Sequence, residues 1–385
     1  MDGRKAGKCG KYMKIVCASD SFKGSLTSMR TAELVERAAK EVLPGARVIK
    51  MPVADGGEGT AFAVTQAAGG SMVSTRVHGP LMDSAEASYG MLPEGRAIIE
   101  MAAASGLVLV PEEKRNPLIT TSYGTGELIR DAMDRGARNI TVAIGGSATN
   151  DGGMGCMSAL GYVFRDGKGH KLAGSGCSLG GVASIDDTEA DPHLKECCFT
   201  AMCDVNNPLT GRNGATYVYG PQKGADKETL KILENGMVSY RNVLEKTTGI
   251  DCDHIRGAGA AGGLGAALHA LLGAKLRPGI EAVLDLTDFD GKIKDADLVI
   301  TGEGRADSQS LDGKAIQGVA MRAQKAGVPV TAIVGSLGEG WEDLRRCGVS
   351  ETVTITPAGM STEESMRRAE ELYFDAAKKY FLTLV

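Results

Sequence analysis

A short, largely β-branched run, Ile140 to Ile144, leads directly into Gly145-Gly146-Ser147-Ala148-Thr149-Asn150-Asp151-Gly152-Gly153. The run is patterned as a buried strand, and Met154 to Leu160 as the start of a helix. A strand, a glycine-rich loop and a helix in succession turn several backbone N–H groups toward one point, which suits an anion. A lone carboxylate in such a loop, Asp151, is placed to hold a cation against that anion. The same residues also suit a tight connection with an N-capping aspartate, and the stretch alone leaves both readings open.

The rest of the chain narrows the choice. At 385 residues it is long for one domain and comfortable for two, and its 43% hydrophobic content supports a sizeable core. Aromatic residues make up only 4%, which argues against a stacking platform for single-stranded nucleic acid. A net charge of −5 with no basic block makes nucleic acid or an anionic membrane an unsuitable partner. No apolar run reaches the roughly 18 residues that a membrane span needs. Residues 1–12 lack the apolar region of a secretory signal and read as a disordered extension. Nine cysteines without CxxC spacing, two of them adjacent (Cys197 and Cys198), point to free thiols and a cytoplasmic protein. The five histidines show no metal-ligand spacing, so a zinc site or a Cys/His nucleophile is not expected.

Taken in order, the ends of the chain resemble each other and the middle differs. Lys14 to Ala18 reads as a strand ending in the polar loop Ser19 to Ser25, and Ser28 can cap a helix to about Val42. Arg47 to Met51 is a second strand, followed by Val53-Ala54-Asp55-Gly56-Gly57-Glu58-Gly59 and a helix to about Ala68. Residues 72–110 carry short alternating runs between turns, as in an antiparallel or mixed sheet. A helix from Tyr123 to Arg135 leads into the central strand. Residues 171–195 read as loop, Phe199 to Cys203 as a strand, and Ala258 to Gly273 as a small-residue helix. Asp297 to Thr301, Pro329 to Val334 and Glu351 to Ile355 restore the strand–loop–helix pattern. The expected fold is α/β in two domains: a Rossmann-like parallel-sheet domain built from both termini (13–75 plus 285–385), and an inserted mixed-sheet α/β domain (76–284).

Four strand-end loops carry carboxylates beside glycine or asparagine: Asp55 with Glu58, Asp151, Asp204, and Glu303 with Asp307. Singly, each is more often a turn or a cap. Together they suggest Mg²⁺ around a polyphosphate. Lys23 and Arg305, in loops of the same kind, read either as solvated cations or as neutralisers of a transferring phosphoryl group. Lys223, in a Gly-Pro-Gln-Lys-Gly turn, carries a weaker signal. Gly257 to Gly262 matches GxGxxG by letter, but a polar stretch stands where the dinucleotide fingerprint needs a strand, so the match reads as helix packing. GxxxxGK[ST] does not occur, and no GxSxG nucleophile elbow is read. The residues by themselves support a two-domain α/β enzyme handling a phosphorylated or anionic small molecule.

SDSFKGSLTS (19–28), PVADGGEGT (52–60), IGGSATNDGGMG (144–155), DVNNPLTGRNGA (204–215), YGPQKGA (219–225), GAGAAGGLGAAL (257–268) and TGEGRADSQSLDGK (301–314) resemble, in order, the motifs of the type-1 glycerate kinase family. The resemblance runs from about Met13 to the C-terminus. It implies two α/β domains, one of them Rossmann-like, and phosphorylation of D-glycerate by ATP with Mg²⁺. The 2-hydroxyl is the expected acceptor, giving 2-phosphoglycerate, and the 3-hydroxyl is the rival. On this reading Gly145, Gly146 and Ser147 receive phosphates, with Thr149 and Asn150 alongside. Asp151, Glu303 and Asp55 hold the metal, Lys23 and Arg305 cover the phosphoryl or carboxylate group, and Asp204 accepts the hydroxyl proton. Ser19, Ser21, Asn206, Gly302, Gly304 and Asp307 complete the binding set, and a homodimer is compatible with it. Two alternatives of other classes are an NAD-dependent hydroxy-acid dehydrogenase, weakened by the missing fingerprint, and a non-enzymatic sugar-acid sensor.

Overall fold

A computed structural model of the chain describes residues 12–53, 57, 59–311 and 314–385. The expected disordered extension therefore lies outside the described residues except at Tyr12. So do Asp55 and Glu58. The chain divides into two compact units, Met1–Ala54 with Leu284–Val385, and Asp55–Val283. Among the described residues no helix is long and apolar enough to cross a membrane, and the eight described cysteines are all free thiols.

The unit built from the termini is a five-stranded parallel sheet. Its strands lie in the order Val349–Thr354, Val330–Val334, Leu298–Thr301, Lys14–Cys17, Arg47–Lys50. Its central strands are almost wholly apolar, as strands covered on both faces must be: Ile15, Val16, Cys17, Val299 and Ile300 are fully buried. Each such side chain contributes about 1.5–3 kcal/mol on leaving water. Helix Ser28–Val42 covers the sheet with Leu34, Val35, Ala38 and Ala39, against Leu372, Tyr373 and Phe381 of helix Ala369–Leu382. Its cap is Thr27, not Ser28, because the Thr27 hydroxyl accepts from the Arg30 amide at 3.1 Å while Ser28 donates to the Ser19 carbonyl. From strand Lys14–Cys17 the chain passes to one side, to Arg47–Lys50, and later returns on the other, at Leu298–Thr301. The direction of winding therefore reverses between Lys14–Cys17 and Leu298–Thr301. The carboxyl ends of two such strands are where open α/β sheets form a ligand crevice.

The second unit holds a mixed six-stranded sheet in the order Lys275–Arg277, Cys198–Met202, Asn139–Ala143, Arg96–Glu100, Ser84–Leu92, Ser71–His78. The first four strands are parallel and the last two pairings antiparallel. The boundary falls some twenty residues earlier than the sequence suggested. Helix Thr60–Ala68 is tied to this sheet by the Ala61 amide, which donates to Glu100 Oε1 at 2.6 Å, and strand Ser71–His78 pairs with Ser84–Leu92. The stretch 171–195, read as loop, contains strand Ser184–Asp186, paired with Val163–Arg165.

The expected small-residue helix at 258–273 is helical only over Leu264–Leu272. Ala261, Gly262 and Gly263 have φ of 54°, 66° and 95°, a left-handed turn. A Cβ on Gly262 would overlap the Thr149 carbonyl oxygen, so glycine is needed there for close approach of two backbones, and the Gly152 amide donates to the Gly262 carbonyl at 2.9 Å. The GxGxxG letters thus mark a brace beneath the central loop. They are preceded by the single turn Cys252–His254 and not by a strand.

Candidate active site

The central loop follows strand Asn139–Ala143, whose Val142 and Ala143 are buried. Gly145 and Gly146 are exposed, whereas Ser147 to Asp151 are buried. Gly146 has φ 73° and so bends the chain in a way that suits glycine. The Ala148 amide donates to the Ser105 carbonyl, and the Leu107 amide to the Gly146 carbonyl. The amides of Gly145, Gly146, Ser147, Thr149, Asn150 and Asp151 donate to no acceptor among the described residues. Thr149 Oγ1 and Asn150 Oδ1 are buried without a partner. Buried polar groups are almost always paired, so this concentration of unused amide donors in one loop is an arrangement able to receive an acceptor.

Asp151 is fully buried. Its Oδ2 accepts from the Ser122 amide (2.8 Å), the Ser122 hydroxyl (2.7 Å) and the Gly155 amide (3.2 Å), and its Oδ1 from the Gly153 amide (3.0 Å). Burial pushes its pKa up, and these four donors pull it back toward the carboxylate. The sequence offered Asp151 as a metal ligand. In the fold its oxygens accept from Ser122 and from the turn that starts the next helix, which ties the loop down.

Lys223 reaches the same loop from the other side. It is 2% exposed, and its Nζ donates to Ser147 Oγ at 2.8 Å and to the Thr149 carbonyl at 2.6 Å. Loss of solvent brings its pKa down to about 7, and the Asp151 carboxylate acts in the opposite sense. Asn150 Nδ2 donates to Thr216 Oγ1 at 3.2 Å, which links the loop to helix Ala215–Tyr219. That helix follows the motif at 204–215, whose backbone is fixed by two acids: Asp253 accepts from the Thr210 amide and hydroxyl, and Glu234 from the Gly211 amide. Asp204 lies just beyond strand Cys198–Met202, next to the central strand. It is exposed, with Oδ1 held by the Gly279 amide at 2.8 Å. Asn206 beside it is exposed, and Asn207 is held by Asn213 and Tyr219.

In the terminal unit the predicted residues gather at the crevice of the parallel sheet. The Asp20 amide donates to the Gly302 carbonyl at 2.9 Å, which ties the loop carrying Ser19, Ser21 and Lys23 to the loop carrying Gly302, Glu303, Gly304, Arg305 and Asp307. Ser19, Asp20 and Glu303 are buried, and Lys23 and Arg305 are exposed. Asp20 Oδ1 accepts from the Ser21 amide, and Glu303 Oε1 from the Ser310 hydroxyl. Arg305 stands 3.4 Å from the Asp307 carboxylate.

Lys223 carries only a weak signal in the sequence, and Asp20, Ser122 and Thr216 are not among the site residues it singles out. Asp20 sits in the same polar loop as Ser19 and Ser21 and was open to suspicion on that ground. Nothing in the local pattern around Lys223 or Ser122 shows that they meet the central loop, because both contacts span 29 or more positions in the chain.

The glycerate kinase family model matches residues 15–384. The chain is 48% identical to a glycerate kinase of Bacillus cereus over 93% of this chain and 94% of that one. It is 45% identical to the glycerate 2-kinase of Escherichia coli over 97% and 98%. A crystal structure described as a glycerate kinase 2 from Salmonella typhimurium superposes with a TM-score of 0.89 at 44% identity, covering 97% of this chain and 98% of that one.

Proposed function

The chain belongs to the glycerate kinase family and is a kinase, and from that premise we propose that it transfers the γ-phosphoryl group of ATP to the 2-hydroxyl of D-glycerate, giving 2-phospho-D-glycerate and ADP. The choice of the 2-hydroxyl is carried by one observation, the 45% identity along nearly the whole chain to a relative named glycerate 2-kinase.

Phosphoryl transfer leaves little covalent chemistry to the protein, so catalysis is positioning and charge neutralisation. The unused amides of the central loop would receive the nucleotide phosphates, with Gly145 and Gly146 as the open face. Lys23 and Arg305, both exposed, would cover the transferred group or the glycerate carboxylate. Asp204, held by the Gly279 amide and exposed, would accept the hydroxyl proton.

Mg²⁺ favours one or two carboxylates together with phosphate oxygens. The buried acids Asp20 and Glu303, on two loops joined by a backbone hydrogen bond, offer a hard-oxygen donor set that fits it. Of the three acids the sequence offered, Glu303 is buried, Asp151 accepts from Ser122, Gly153 and Gly155, and Asp55 lies outside the described residues. Asp20 and Glu303 would hold the ion, and the chemistry it would supply is charge neutralisation.

The test is identification of the product. D-glycerate and MgATP are incubated with the protein and coupled to enolase, with and without phosphoglycerate mutase. Signal from enolase alone is expected. Signal only with the mutase would move the acceptor to the 3-hydroxyl, and failure to form ADP would overturn the substrate assignment.

A further inference from the structure

We propose that Lys223 is the positioning residue that pre-organises the central loop for the nucleotide's phosphates, an assignment that rests on that loop being the phosphate site. The peptide bond is planar and trans, so the carbonyl of Thr149 and the amide of Asn150 point in opposite directions. Lys223 Nζ holds the Thr149 carbonyl at 2.6 Å. The Asn150 amide is thereby turned away from Lys223, and it has no acceptor among the described residues. The second bond, to Ser147 Oγ at 2.8 Å, fixes the side chain two residues earlier. Together the two bonds fix Ser147 and Thr149 on either side of Ala148, whose own amide is held by Ser105.

Lys223 itself is set rigidly. It ends the short turn Pro221–Lys223, and its amide donates to the Gly220 carbonyl at 3.0 Å. The next residue, Gly224, has φ 95°, and a Cβ there would overlap the Arg115 carbonyl. A lysine buried this fully, its Nζ bonded to the loop and compensated by Asp151, is a costly feature for a surface turn to carry. Its bonds satisfy acceptors on the inner side of the loop and leave the loop's donors unspent, which is the arrangement an anion requires.

Lys223→Met keeps the length and removes both donors. The expected result is a rise of about tenfold in KM for ATP, the scale of one or two lost hydrogen bonds, with KM for D-glycerate within about twofold of the parent. ATP affinity measured by calorimetry should fall by the same factor. A merely structural role would lower the active fraction and the melting temperature and leave both KM values unchanged, and that outcome overturns the proposal. In Lys223→Met/Ser147→Ala, KM for ATP should stay close to that of Lys223→Met alone, and a fully additive increase would also overturn it. If Lys223→Met does not fold, Lys223→Gln, which keeps one donor group, is read in the same way: a selective rise in KM for ATP supports the proposal and an unchanged value overturns it. If the unaltered protein itself shows no ATP binding, the phosphate-site reading falls and the proposal falls with it. Normal ATP binding by the parent together with an unchanged variant refutes the role of Lys223 alone.

Discussion

Replacing Asp151 by asparagine tests the structure against the sequence directly, because the two assign that residue different work. The carboxylate accepts four hydrogen bonds in a fully buried setting. An asparagine can place its oxygen where Oδ2 stands and keep the three bonds from Ser122 and Gly155. Its Nδ2 then faces the Gly153 amide, donor against donor. One charge-assisted bond is lost, worth about 1.5–3 kcal/mol, and the remaining three weaken to neutral strength, a further ~1–3 kcal/mol in sum. Lys223 also loses the compensating charge. Against this, the desolvation that pushes the Asp151 pKa up no longer opposes folding, which returns part of the loss. The net expectation is a loss of about 3 kcal/mol. In a unit of this size that corresponds to a melting temperature lower by about 6–12 °C. Thermal and urea melts followed by circular dichroism measure it. The Mg²⁺ requirement of the folded fraction should not change. A melting temperature within about 2 °C of the parent, combined with a raised Mg²⁺ requirement, would refute the anchoring argument and restore Asp151 as a metal ligand.

Gly262→Ala would place a Cβ into the Thr149 carbonyl at a residue with φ 66°, and a loss of about 2–5 kcal/mol in urea unfolding is expected. Glu303→Gln should raise the Mg²⁺ concentration needed for half-maximal rate while leaving the fold intact, and an unchanged Mg²⁺ titration would remove it as a ligand. Asp204→Asn should abolish turnover with ATP affinity largely unaltered, because its oxygen toward the Gly279 amide can be kept. For Lys223, the folded pKa of about 7 lies below its ordinary 10.5, so the folded state binds fewer protons than the unfolded state between those values. Its contribution to stability therefore rises with pH across that window. The stability difference between the parent and Lys223→Met should shift in favour of the parent between pH 7 and pH 9.5 in urea melts, and a constant difference would contradict the lowered pKa.

Local pattern was enough for much of this protein. Apolar runs such as 14–18, 140–144 and 297–301 read as strands, and the strand–loop–helix order at the two ends suggested a parallel sheet built from both termini with an insertion between them. The motif loops were legible because glycines and carboxylates at strand ends have a local physical reason to be there. Tertiary structure decided the division of labour among them. Whether Asp151 faces a ligand or the protein depends on Ser122, 29 positions away, and whether Lys223 is a solvated cation or a buried brace depends on Ser147 and Thr149, 76 and 74 positions away. The small-residue run at 258–263 has the composition of a packed helix. It becomes a left-handed turn because the Thr149–Asn150 backbone passes where a helix would need a Cβ. A sequence records which atoms a residue brings to the fold. Which of them are spent on other residues, and which are left for a ligand, depends on contacts between segments far apart in the chain.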